Sequence, residues 1–147
     1  MYLSKSTIYG LQAAALLASK SNEDFVTIRE LSNELNISFY FLTKVLQQLT
    51  KSELLISYKG PNGGVKLAKH CSEITFKDII CSIEGTKMIN ESTHGYNICK
   101  ILSPCPFYQD LARLENKVEH FISTTTLKDL AKRDQLKQPT SKMPNNL

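Results

Sequence analysis

The segment TIRELSNELNISFYFLTKVLQQL, Thr27 to Leu49, decides the fold. It opens on Thr27-Ile28-Arg29-Glu30, the pattern of a capping box: the Thr27 hydroxyl satisfies the amide three residues on, and Glu30 reaches back to the Thr27 amide. Ile28, Leu31 and Leu35 then recur at three to four residues, the period of a helix that buries one face, and the pattern stops near Asn36. After a break at Asn36-Ile37, Ser38 is placed to cap a further helix whose Phe41, Leu42, Val45, Leu46 and Leu49 form a broad apolar face. The prediction is a helix, a tight turn and a second helix.

Working downstream, Leu54-Leu55-Ile56 leads to Tyr58-Lys59-Gly60-Pro61-Asn62-Gly63-Gly64-Val65-Lys66-Leu67, two short β-type runs flanking a turn rich in Gly, Pro and Asn. A hairpin directly behind a helix-turn-helix is a wing. Upstream, residues 6–19 carry Ile8, Leu11, Ala15 and Ala18 on one stripe, with Ser6 as cap, and Phe25-Val26 suits a short extended link. Thr75-Phe76-Lys77-Asp78 caps a short helix bearing Ile79, Ile80 and Ile83 and closed by Gly85. Residues 86–106 lack periodicity. From Phe107, the residues Phe107, Leu111, Leu114, Val118 and Phe121 alternate at four and three, the seam of a helix that packs lengthwise on another, here a second copy of the chain. From about Lys132, with Pro139 and Pro144, the sequence reads as a disordered tail.

The organisation expected is mainly α with a small β-hairpin wing: a winged helix-turn-helix domain at 1–85, a sensory loop at 86–106, a long dimerisation helix and end segment at 107–131, and a tail at 132–147. A chain of 147 residues, 41% hydrophobic and 22% charged, suits one soluble domain. It carries no apolar run of the ~18 residues a membrane helix needs and no secretory signal, so it reads as cytoplasmic. The net charge of +4 is modest, but its distribution is not even. Residues 44–69 hold Lys44, Lys51, Lys59, Lys66 and Lys69 against Glu53 alone, whereas residues 21–36 hold four acids against Arg29. Positive charge gathers on the two elements that would meet a polyanion.

A recognition helix enters the major groove through its N-terminal turn. Here that turn presents Ser38, Tyr40 and Thr43 for base or phosphate contact, and Lys44, with Lys51 further along, for phosphate. In the wing, Lys59 precedes the tip Pro61-Asn62-Gly63, whose small residues let backbone approach the minor groove or the phosphates. Tyr2, Ser4, Lys5 and Thr7 open the first helix, where free amides suit phosphate. Each group taken alone is as well read as solvated surface; their adjacency favours DNA. Of the four cysteines, Cys81 reads as a small core residue, Cys71 lies in a polar turn beside His70, and Cys99 and Cys105 lie in the loop before the long helix. His120 reads as surface or interface.

These residues resemble the Rrf2 family of winged-helix repressors, with its IscR-, NsrR- and CymR-type regulators. The resemblance covers residues 1 to about 131. It rests on Leu3-Ser4-Lys5 with Tyr9, on Ile37-Ser38 through Leu42 with Gly60-Pro61-Asn62-Gly63-Gly64 and Leu67-Ala68, and on Thr125-Thr126-Leu127-Lys128-Asp129-Leu130. It implies a homodimer on double-stranded operator DNA with a two-fold repeat. Many members bind an iron–sulfur cluster on loop cysteines, which places Cys99 and Cys105 on two ligand positions, with His94 able to supply a nitrogen. Ser92 or Thr93 stands where a further cysteine would be, so an inherited but vacant site and a thiol-redox pair stay open beside a cluster.

The leading reading is therefore a DNA-binding repressor responsive to redox, nitric oxide or iron–sulfur chemistry. The alternative is a winged-helix interaction module controlled by a metabolic enzyme partner. Catalysis is not expected, because Cys99 and Cys105 are no Cys-x-x-Cys pair and no strand–helix context activates a thiolate.

Overall fold

The computed structural model describes residues 3–20, 24–85 and 106–136. Their elements run α1 (Lys5–Ser19), α2 (Ile28–Leu35), α3 (Phe39–Lys51), β1 (Leu55–Tyr58), β2 (Gly64–Leu67), α4 (Phe76–Glu84), α5 (Tyr108–Thr124) and α6 (Leu127–Leu136). The expected architecture, a winged helix-turn-helix followed by a long C-terminal helix, is the one observed.

Local chemistry accounts for most boundaries. The Thr27 side chain accepts from the Glu30 amide to start α2, and Asn36 ends it in the left-handed region at φ 53°, where asparagine is tolerated better than most residues. Ile37 then turns inward and α3 begins at Phe39. Leu42, Val45, Leu46 and Leu49 are buried on one face of α3, each contributing roughly 2 kcal/mol. That burial fixes the rotation of the helix and sends the opposite face to solvent. Phe41, expected inside, is half-exposed: it packs edge-on against Tyr9 of α1, ring centroids 5.4 Å apart, at the rim of the core. α1 crosses α3 and α4 at Gly10, where a Cβ would lie 2.4 Å from Ile83 Cδ1 and 3.3 Å from Val45 Cγ1.

β1 and β2 pair antiparallel in the register Leu55↔Leu67 through Tyr58↔Gly64. The hairpin is tied to the chain ahead of α2: the Val26 amide donates to the Val65 carbonyl at 2.9 Å and the Val65 amide to Val26 at 2.8 Å. The short extended link at Phe25-Val26 is thus a one-residue bridge.

Three expectations need correction. The cap of α1 is Ser4, two residues earlier than Ser6, because the Ser4 hydroxyl accepts from the Thr7 amide at 3.2 Å. The tail does not begin at Lys132, since residues 127–136 form α6. The N-terminal unit also does not close at residue 85. Leu127 is fully buried in the same core as Leu11, Leu42 and Ile79, and α6 packs on α1. Its start is fastened by a second bridge: the Phe76 amide donates to the Thr125 carbonyl at 2.8 Å and the Leu127 amide to the Ile74 carbonyl at 2.9 Å. On either side of this bridge stands a capping pair, Thr75 with Asp78 and Thr126 with Asp129.

Candidate nucleic-acid interface

The outward face of α3 holds Ser38, Tyr40, Lys44, Gln47 and Gln48 in solvent, with Tyr40 81% exposed. Ser38 occupies the N-cap position without bonding a helix amide through its side chain. Thr43, half-buried, donates its hydroxyl to the Phe39 carbonyl at 2.7 Å, so toward a ligand it can act only as an acceptor. Lys51 lies exposed in the last turn of α3, where a cation also complements the helix dipole.

Beside this face stands the hairpin. Its tip is closed by the Gly63 amide donating to the Gly60 carbonyl at 2.9 Å, which leaves Lys59, Pro61 and Asn62 exposed. A Cβ on Gly63 would meet the Tyr58 carbonyl oxygen at 2.4 Å, and one on Gly64 the Val26 carbonyl oxygen at 2.2 Å, so neither position admits a side chain. The cation expected on β2 is partly spent within the wing: Lys66 Nζ lies 4.8 Å over the Phe25 ring, which also contacts Tyr58 at 5.7 Å. The geometry unites Ser38, Tyr40, Thr43, Lys44 and Lys51 on one helix and Lys59, Pro61, Asn62 and Gly63 on the neighbouring wing.

The N-terminal group fares differently. Thr7 is 0% exposed and donates its hydroxyl to Glu84 Oε1 at 2.6 Å, so it cannot touch DNA and leaves the candidate set. The Ser4 amide is likewise committed to Glu84 at 3.0 Å. These bonds, from Ser4 and Thr7 in that order, hold the Glu84 carboxyl below its ordinary value of 4.5. An anion already sits where a phosphate was expected. Lys5 remains exposed, and Tyr2 lies outside the described residues.

Along α5, Phe107, Leu111, Leu114 and Phe121 are exposed and Val118 is half-buried, so the seam read from the sequence faces outward. The opposite side is held to α4: Ile122 is buried, Lys77 pairs with Glu119, and Ser123 donates to Glu119 at 3.1 Å. At the seam's far end, Phe121 meets Phe76 at 6.0 Å and carries the Arg133 guanidinium at 5.9 Å. Cys81, half-buried on α4, has its thiol pushed up by burial, the opposite of an activated thiolate. His94, Cys99 and Cys105 lie outside the described residues, and among the described residues no cluster of His, Cys, Asp and Glu could hold a metal ion. No helix among them is long and apolar enough to cross a membrane.

Residues 3–133 match the Rrf2 family, described as an iron-dependent transcriptional regulator. The chain is 32% identical over 136 residues to the HTH-type transcriptional regulator NsrR of Oceanobacillus iheyensis, covering 92% of each protein. Among solved structures it is similar to CymR, the global cysteine regulator of B. subtilis, at 26% identity and a TM-score of 0.73, covering 90% of this chain and 98% of that one. The oxidized form of Staphylococcus aureus CymR aligns at 27% identity with a TM-score of 0.71, covering 90% and 97%. These likenesses support the regulator reading and lend nothing to control by an enzyme partner.

Proposed function

The chain belongs to the Rrf2 family of transcriptional regulators, and from that premise we propose that it binds a two-fold DNA site as a homodimer and represses transcription there. α3 enters the major groove with Ser38, Tyr40 and Thr43 toward base edges or phosphates, while Lys44 and Lys51 meet the backbone. The wing lays Lys59 and the Pro61-Asn62-Gly63 tip on the flanking backbone or minor groove. The observation that carries this reading is the division of α3 itself. Four buried apolar residues fix one face, and the polar opposite face stands free beside a wing whose tip carries an exposed lysine.

Pairing of two copies through the α5 seam follows from four exposed large apolar residues at heptad spacing, which a soluble chain buries against a like surface. Half-sites on one face of the duplex lie roughly 34 Å apart, and the two-fold pair presents one α3 helix to each. The signal enters through the loop at 86–106, ahead of α5. A chemical change at Cys99 or Cys105 that turns α5 alters the spacing of the two recognition helices and so their fit to DNA.

An iron–sulfur cluster takes about four protein ligands. Cys99, Cys105 and His94 supply one fewer from a single chain, so the donor set does not fit a cluster.

The test is selection of binding duplexes from a random library, followed by salt titration of the recovered sequence. An inverted repeat and a fall in log K of about 0.9 per phosphate contact per decade of salt are expected. Recovery of no common sequence, or affinity indifferent to salt, refutes the proposal. Exposure to nitric oxide, peroxide or thiol reagents with no effect on affinity refutes the sensory part alone.

A further inference from the structure

Arg29 stands in the first turn of α2, where a cation opposes the helix dipole. The acid suited to that turn is its neighbour Glu30, which is engaged by Lys20 at 2.8 Å. Arg29 has no ion-pair partner among the described residues. Its guanidinium carbon lies instead 5.6 Å from the ring centroid of Phe39, the first residue of α3. Phe39 is 40% exposed and meets Tyr40 edge-on at 5.9 Å. Arg29, Phe39 and Tyr40 thus form one continuous run across two helices, outside the core and ending on the solvent-exposed ring of Tyr40. A cation at the wrong end of a helix and an aromatic ring left in solvent are each poor choices for folding. Local choices of that kind are expected at sites kept for function.

The geometry points to Arg29 as a clamp on the DNA backbone, positioned by Phe39. The inference rests on α3 being the recognition helix. In such a motif the first helix crosses the backbone beside the groove that the second one fills. A guanidinium lying on an aromatic face is restrained without being consumed: its N–H donors point outward in a planar fork that matches two phosphate oxygens. Phe39 touches no base in this scheme. It holds Arg29 at the height of the strand flanking the groove, and Tyr40 continues the same surface into the groove.

The experiment is salt titration of affinity on the duplex recovered by selection and on a shuffled duplex, with melting curves for each variant. Arg29→Ala makes the salt slope shallower by about 0.9, which at 0.15 M salt corresponds to about fivefold weaker binding relative to 1 M. The loss is equal on both duplexes and the melting temperature stays unchanged. Arg29→Lys keeps the slope. Phe39→Leu keeps the slope too, and weakens binding by about two- to fivefold on both duplexes as the stack is lost. A steep slope in the wild type that survives unaltered in Arg29→Ala overturns the clamp and leaves the regulator reading intact. A wild type without salt-dependent binding removes that reading and the clamp with it. Weaker binding by Arg29→Ala at an unaltered slope, together with a lowered melting temperature, assigns the residue a folding role and also overturns the clamp.

Discussion

Replacing Gly64 by alanine tests how the wing is held. The added Cβ would lie 2.2 Å from the Val26 carbonyl oxygen and 2.9 Å from the Thr27 nitrogen, both backbone atoms that cannot swing aside. β2 must therefore retreat by about 1 Å to restore an ordinary contact, since van der Waals attraction turns to steep repulsion at shorter range. That retreat breaks the two Val26–Val65 hydrogen bonds of 2.9 and 2.8 Å, about 1 kcal/mol each in net terms. Backbone strain at φ 157° adds about 1–2 kcal/mol. The sum, about 3–4 kcal/mol, is a large part of the 5–15 kcal/mol typical of a domain. For a chain of this size it lowers the melting temperature by roughly 10 °C, compared at one protein concentration. The loss also reaches the wing tip, so affinity for the selected duplex falls at temperatures where the variant is still folded. Gly85→Ala is the control, because its φ is +79° but nothing lies within 4 Å of the added atom. It should cost only the strain. A Gly64→Ala protein that melts within about 2 °C of wild type and binds DNA equally well would refute the assignment of the Val26–Val65 bridge as the wing's anchor.

Three further outcomes are expected. Leu114→Glu places a carboxylate in the middle of the α5 seam, where it must be buried unpaired if two copies meet, and sedimentation should show a monomer with much weaker affinity for a two-fold duplex; a dimer of wild-type strength would exclude this face. Leu127→Ala removes a fully buried side chain and should cost about 2–5 kcal/mol, read by denaturant titration, whereas an end segment outside the core would lose almost nothing. Glu84 and Glu119 are held below 4.5, by Ser4 and by Lys77 respectively, and Asp129 below 3.8 by Thr126. All three are charged and bonded above those values, and protonation of the unfolded chain is favoured below them. Stability should therefore be level above about pH 5 and fall as pH drops through the carboxylate range, and a Glu84→Gln variant should show a shallower fall in a melting series.

The parts of the fold that could be read from the chain are those set by local chemistry. Thr27 with Glu30, Thr75 with Asp78, the Gly-Pro-Asn turn at 60–64 and the periodic faces of α2, α3 and α4 each carry their own signal. α6 carried one as well. Thr126-Leu127-Lys128-Asp129 repeats the pattern of Thr75-Phe76-Lys77-Asp78, yet the charged residues that follow, Lys132, Arg133 and Asp134, read as tail. Its apolar residues Leu127, Leu130 and Ala131 suffice because α1 supplies the rest of the contact, and a partner at the other end of the chain leaves no mark on local sequence. The outward face of α3 and the wing tip were legible for the same reason that α3 was: once the apolar stripe is known, the polar one is its complement. Ser4 and Thr7 were misjudged because Glu84, which claims them both, lies nearly eighty residues on. Arg29 escaped notice because its significance lies in a ring ten residues away on the next helix.

The return of α6 bears on how the protein comes to exist in a cell. A nascent chain whose first 85 residues have left the ribosome still lacks Leu127 and the strand-like bridge from Ile74 and Phe76 to Thr125 and Leu127, so the lower side of its reading head is open. Synthesis of that missing piece passes first through the whole of α5. Completion of the head and appearance of α5 therefore belong to one folding event, and a polypeptide cut short within α5 emerges without a finished head.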